Sequence, residues 1–148
     1  MATKAGTVIV TGANGGLGKA IVAQFLADSN SAHYKGLWGV RDPSKATQLK
    51  EVLKELPNAA EHELSKIDLS SLASTRASAA SINARVVSGE LPPIRVLVLN
   101  AALQIVTHQS YTDDKLETTF AVNHLATFLL AVLLMESMDK EDGRIVIV

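Results

Sequence analysis

Residues 11–18 read Thr-Gly-Ala-Asn-Gly-Gly-Leu-Gly. They lie between an apolar run, Thr7-Val8-Ile9-Val10, and a helical pattern in which Leu17, Ile21, Phe25 and Leu26 recur. This crowding of glycine constrains the fold more than any other stretch. Glycine is required where a backbone turns sharply off a strand, or where a neighbour comes too close for a side chain. Gly12, Gly16 and Gly18 give the spacing Gly-x-x-x-Gly-x-Gly. Gly12 permits the tight turn, Gly16 leaves room for a pyrophosphate against the backbone, and Gly18 lets the helix approach the sheet. The helix amino end adds unpaired N–H groups and the positive end of its dipole, both favourable to phosphate. The loop is therefore expected to hold a dinucleotide through Gly12, Asn14, Gly16, Leu17 and Gly18. Lys19-Ala20 follows the last glycine rather than Lys-Ser or Lys-Thr, which excludes a nucleoside triphosphate P-loop.

Beyond this loop, strand-like runs alternate with longer helical patterns, as in βαβ units. Strands are predicted at Leu37 to Val40, Glu63 to Ile67, Ile94 to Leu99 and Arg144 to Val148. Between them Asp42-Pro43-Ser44 starts a helix with the stripe Leu49, Val52, Leu53 and Leu56, closed by Pro57-Asn58. An Ala- and Ser-rich helix is predicted over Ser71 to Val87. A long one is predicted over about Asp113 to Met138, with Thr112 as its N-cap. The fold class is α/β: a doubly wound parallel sheet of the Rossmann type, about five strands, ending after the fifth. Residues 1–148 are expected to form a single dinucleotide-binding domain, incomplete at its carboxyl end. Val96 to Leu99 and Ile145 to Val148 are apolar throughout, as in strands covered on both faces.

Cofactor choice is read at Val40-Arg41-Asp42. NAD-binding folds place an acid at the end of the second strand to bond the ribose 2′-hydroxyl. Val40 cannot do that, and the Arg41 guanidinium can pair with a 2′-phosphate. Asp42, followed by Pro43, reads as a helix cap. NADP(H) is the expected cofactor, with NAD(H) the alternative.

Composition excludes several other classes. A net charge of −1 without a long basic run gives no surface for nucleic acid. The absence of cysteine excludes disulfides and thiolate metal sites. His33, His62, His108 and His124 are scattered without ligand spacing, so no metal site is expected. Phe120 to Met138 is interrupted by Asn123, His124, Thr127, Glu136 and Ser137, and is read as short of a membrane span. The chain is expected to be a soluble cytoplasmic protein.

The Thr-Gly-x-x-x-Gly-x-Gly pattern resembles the short-chain dehydrogenase/reductase family, and the resemblance runs from Thr7 to Val148. Ala-Asn-Gly-Gly-Leu-Gly-Lys, Val-Arg-Asp and Leu-Asn-Ala-Ala look most like its retinol-dehydrogenase-like and protochlorophyllide-reductase-like branch. The resemblance implies hydride transfer between a nicotinamide cofactor and a small carbonyl or alcohol substrate. It implies that Asp68-Leu69 contacts adenine, with an N-cap shared with Ser70 as the alternative reading of Asp68. It implies that Asn100, Ala101 and Ala102 border the cofactor, although Leu99 and Ala102 depart from the family's Asn-Asn-Ala-Gly. It makes Asn123 a catalytic residue that helps hold a water. It also implies a Ser and a Tyr-x-x-x-Lys after the fifth strand, beyond Val148, so the chain alone is expected to be inactive. Tyr111-Thr112-Asp113-Asp114-Lys115 matches literally but precedes Asn123 and straddles a helix start, so it is rejected. The alternative reading is a non-catalytic dinucleotide-binding sensor or a docking half-domain. Self-association, or a complementary carboxyl-terminal segment, is the expected protein partner.

Overall fold

Five runs of the chain become five parallel strands in a computed structural model that describes residues 5–56 and 60–148. They are β1 (Gly6–Thr11), β2 (Tyr34–Val40), β3 (Glu61–Lys66), β4 (Ile94–Leu99) and β5 (Arg144–Ile147). Their order is β3-β2-β1-β4-β5. The chain winds outward from β1 through β2 to β3, then returns to the other side of β1 for β4 and β5. The order therefore reverses between β1 and β4, where a parallel sheet leaves a crevice at its carboxyl edge.

Four helices cover the two faces. Alternate β1 residues point to opposite sides. Ile9 joins Leu37, Leu97 and Leu99 beneath Ile82 of α3 (Leu72–Val87) and Ala126, Leu130 and Leu134 of α4 (Thr118–Ser137). Val8 and Val10 join Trp38 and Val98 against Val22 and Leu26 of α1 (Gly16–Ala27) and Leu49 of α2 (Thr47–Glu55). The expected doubly wound sheet is thus present. β2 starts at Tyr34, earlier than its apolar run, because Gly36 is covered by the Trp38 indole and belongs to the strand. β3 includes Glu61-His62-Glu63, read from sequence as a solvated entrance. The strand lies at the sheet edge, and its acids are held by Lys35 and Arg85. Pro57-Asn58 lies outside the described residues.

Two expectations are corrected. The long helix begins at Thr118, not near Asp113, and its cap is Glu117 rather than Thr112. The Glu117 carboxylate accepts from the N–H groups of Thr119 and Phe120 at 3.0 and 2.7 Å. Residues 111–117 instead form a tight turn closed by a bridge between Tyr111 and Glu117, with Lys115 at φ +61°. Second, β5 is not covered on both faces. It is an edge strand in this sheet, and Ile145, Val146 and Ile147 are exposed by 41%, 43% and 77%.

The expectation that the apolar stretch is too polar to span a bilayer also fails. Thr118–Ser137 is 20 residues with a mean hydropathy of 1.8, long and apolar enough by composition. Its stripe of Ala126, Leu130 and Leu134 is nonetheless fully buried under the sheet. Asn83 of α3 ties its end down, donating to the Leu133 carbonyl and accepting from the Ser137 hydroxyl. One face of the helix is thus packed as core, while Phe120, Phe128, Val132 and Met135 stay exposed.

Candidate functional site

At the carboxyl ends of β1 and β4 the sheet opens into a cleft of about 580 Å³. The glycine loop forms one wall. Gly12 sits at φ +66°, and a Cβ on it would come within 2.8 Å of the Ala101 Cα. Gly18 has no room either, since a Cβ there would strike the Gly12 carbonyl and lie 2.9 Å from the Asn100 amide. Gly16 is different: it lines the cleft, and a Cβ built on it meets nothing within 4 Å. Gly15 precedes α1 without any side-chain cap, so the first N–H groups of the helix have no partner from that side.

The opposite wall is fixed by a zipper between β1 and β4. The buried Thr11 hydroxyl accepts from the N–H groups of Asn100 and Ala101, both at 3.0 Å. The Asn100 side chain returns the bond, donating to the Thr11 carbonyl at 3.0 Å. Asn100, Ala101 and Ala102 are thereby placed along the cleft. Arg41 lies at the end of β2, largely exposed, with its Nε 3.9 Å from Asp68 Oδ1. The same Asp68 oxygen accepts from Ser70 N–H and hydroxyl at 3.0 and 2.6 Å. The cap of α3 is Ser71, whose Oγ accepts from Ser74 N–H, so Asp68 is not the residue that caps that helix.

Of the cofactor-binding residues expected from sequence, Gly12, Gly16, Leu17, Gly18, Arg41, Asp68, Leu69, Asn100, Ala101 and Ala102 line this one cleft. Asn14 does not. Its Oδ1 turns to the other side of the loop and accepts from Leu49 N–H at 3.1 Å. Ala46, ahead of α2, has no side-chain acceptor, so Asn14 supplies the missing cap from outside. Asn123 is also outside the main cleft. It lines a shallower neighbouring one with Leu103 and Thr119, in a widened turn of α4 spanning Ala121–Ala126. Its amide is engaged at both ends by the Leu103 backbone, accepting at 2.9 Å and donating at 2.8 Å. That clamp holds Leu103 on the cleft wall.

The sequence matches the short chain dehydrogenase family over residues 6–148. The chain belongs to this family. Short-chain dehydrogenase iccH from Talaromyces variabilis is 49% identical over 95% of the chain and 39% of its own length. Protochlorophyllide reductase A from Hordeum vulgare is 35% identical over 93% of the chain and 33% of its own length. The NADPH-bound carbonyl reductase from chicken fatty liver is a solved structure with 25% identity. It matches with a TM-score of 0.66, covering 90% of this chain and 52% of that one. The chain thus spans about a third to two fifths of the curated relatives it matches.

Within this short-chain dehydrogenase chain, the literal Tyr-x-x-x-Lys match does not form a pair on one helix. Tyr111 opens the tight turn and Lys115 sits in its left-handed position. The sequence reading missed Gly15, Ile67, Ser70, Leu103, Val122 and Val148, which complete the cleft. Each is a neighbour of a residue the motif did name or the last residue after a strand. Position next to a strand's carboxyl end was the available signal for all of these but Val122, which lies inside α4.

Proposed function

We propose that this chain is the NADP(H)-holding part of an oxidoreductase that moves a hydride between a nicotinamide and a carbonyl or alcohol carbon. The observation that carries this reading is the open space at Gly16, directly before an uncapped helix amino end and inside the cleft at the strand reversal. A pyrophosphate would suit this place because the backbone is bare and no side chain caps the helix N–H groups. Arg41 would pair with a 2′-phosphate, and Asp68 and Leu69 would form the adenine side. Asn100, Ala101 and Ala102 would border the cofactor across the loop. The bound cofactor supplies the hydride. What these residues supply is grip and orientation, with Asn123 holding the Leu103 wall; any relay through Asn123 belongs to the proposal for the whole protein. The carbonyl reductase of similar fold is described with NADPH bound, which supports the phosphorylated cofactor.

The test is calorimetric titration of the chain with NADPH and NADH, beside Arg41→Ala. A charge-assisted hydrogen bond is worth about 1.5–3 kcal/mol, or roughly tenfold to a hundredfold in affinity. NADPH is expected to bind tighter by that factor, and the variant to lose the difference. Equal affinities would make Arg41 a surface charge only, and no binding of either nucleotide would overturn the reading.

A further inference from the structure

A carboxylate from the β4–α4 connection reaches across to the start of α3. Asp114 Oδ2 accepts the Leu72 N–H at 2.9 Å, over a separation of 42 residues. Leu72 is the first residue of α3, and its N–H has no acceptor within the helix. Ser71 caps the Ser74 N–H but leaves that of Leu72 to Asp114. The arrangement is built, not incidental. Lys115 N–H donates to the Thr112 carbonyl at 2.8 Å, and Thr112 N–H to the Leu116 carbonyl at 2.9 Å. Thr118 N–H donates to the Ser110 carbonyl at 2.8 Å. This turn carries a non-glycine residue, Lys115, at φ +61°, a conformation that side chains rarely adopt. Such strain persists where the surroundings hold it, and here it sits beside the residue that makes the long-range cap.

The start of α3 is also the far rim of the cleft. Two residues before Leu72, Ser70 donates by N–H and hydroxyl to Asp68 Oδ1, and that oxygen faces Arg41. Asp68, Leu69, Ser70 and Arg41 all line the cleft. We propose that Asp114 is a positioning residue for the adenine side of the dinucleotide. By fixing the amino end of α3, it holds the Asp68–Ser70 rim in the arrangement that meets Arg41. The inference rests on the proposed dinucleotide reading of the cleft. A rim ordered in advance does not have to be ordered at the expense of binding.

The test uses the full chain and Asp114→Ala and Asp114→Asn, with adenosine 2′,5′-bisphosphate and nicotinamide mononucleotide as separate probes. Amide hydrogen exchange at Leu72 and thermal unfolding are measured alongside. The expected result for Asp114→Ala is faster exchange at Leu72 and affinity for the bisphosphate about fivefold weaker, with affinity for the mononucleotide unchanged. Asp114→Asn keeps an oxygen acceptor and is expected to recover most of the bisphosphate affinity. A fall in thermal stability with unchanged bisphosphate affinity would make Asp114 a stability cap alone and overturn the proposal. Equal weakening of both probes would overturn it as well. Failure of the unsubstituted chain to bind the bisphosphate or NADPH would instead sink the dinucleotide reading, a distinguishable outcome.

Discussion

Gly16 and Gly18 lie two residues apart in one turn, yet substitution should separate binding from stability between them. Gly18→Ala puts a methyl group inside contact of the Gly12 carbonyl oxygen and at 2.9 Å from both the Ala13 Cα and the Asn100 amide. All three are held: the Gly12 carbonyl accepts from Gly15 N–H at 3.0 Å and from Asn100 at 3.4 Å. To reach ordinary contact the loop must retreat by roughly 1 Å. Overpacking of that kind costs about 1–3 kcal/mol, and a weakened hydrogen bond adds about 1 kcal/mol. A loss near 3 kcal/mol lowers the melting temperature by about 6–12 °C in a chain of this size. A Cβ at Gly16 meets no protein atom within 4 Å, so Gly16→Val starts from open space. Its stability should stay within about 0.5 kcal/mol of the unsubstituted chain, since valine is a slightly better helix residue than glycine. Its branched side chain fills the phosphate path, so NADPH binding should disappear. The assay is urea unfolding for stability and calorimetric titration for binding, on both variants. Undiminished NADPH affinity in Gly16→Val would show that the loop is only a turn. A Gly18→Ala chain as stable as its parent would refute the steric argument.

Asn14→Ala should lower stability by about 1 kcal/mol, the cost of a lost helix cap, while NADPH affinity holds within about twofold, read from unfolding and titration together. Asp42, Glu117 and Asp139 are all held below the ordinary carboxylate range, chiefly by the hydroxyl and N–H of Ser44, the N–H groups of Phe120 and Thr119, and those of Asp142 and Glu141. A lowered folded-state value means stability that is present at neutral pH and lost as pH falls below about 4. Glu117→Gln should flatten that acid limb in pH-dependent unfolding, and an unchanged limb would count against the cap. The exposed row Phe120, Phe128, Val132 and Met135 on α4, with the open β5 edge, should make the isolated chain self-associate. A clean monomer by light scattering at high concentration would contradict this.

Sequence periodicity located the central strands β1, β2 and β4 because buried strands are largely apolar, while β3 and β5 lie at the sheet edges and are not buried. β4 was read at its observed limits, Ile94 to Leu99. β3 was harder to bound. Glu61-His62-Glu63 is polar because this strand is at the sheet edge, where long charged side chains find partners on Lys35 and Arg85 without burial. The start of α4 was misplaced for a related reason. Thr112-Asp113-Asp114 has the composition of a helix cap, but Thr112 serves the tight turn and Asp114 caps a different helix. The Glu117 cap is a residue type that rarely signals a helix start. Nor did composition distinguish a core helix from a membrane span. α4 is apolar on more than one side, and only its contacts with the sheet and α3 identify the buried stripe.

The candidate site shows the same division between local chemistry and long-range placement. The roles of Gly12 and Gly18 were legible because each answers a backbone need within a few residues, and the structure meets that need with a positive φ at one and a carbonyl contact at the other. Gly16 was legible for the opposite reason: no local need requires it, so its missing side chain points to a ligand. Asn14 sits in the same motif and was grouped with it, but its acceptor goes to Leu49, 35 residues away. Asp114 similarly serves Leu72, 42 residues away, from a segment whose local pattern pointed to other roles. A helix that begins with alanine, as α2 does after Ala46, or with one serine for several open N–H groups, as α3 does at Ser71, needs an acceptor from elsewhere in the chain. The sequence cannot name that donor of help, because the pairing is decided by which loops the sheet brings to its carboxyl edge. In this fold those are the glycine loop and the β4–α4 turn. The glycine loop and the β4–α4 connection each give some residues to the cleft wall and another, Asn14 or Asp114, to the cap of a flanking helix.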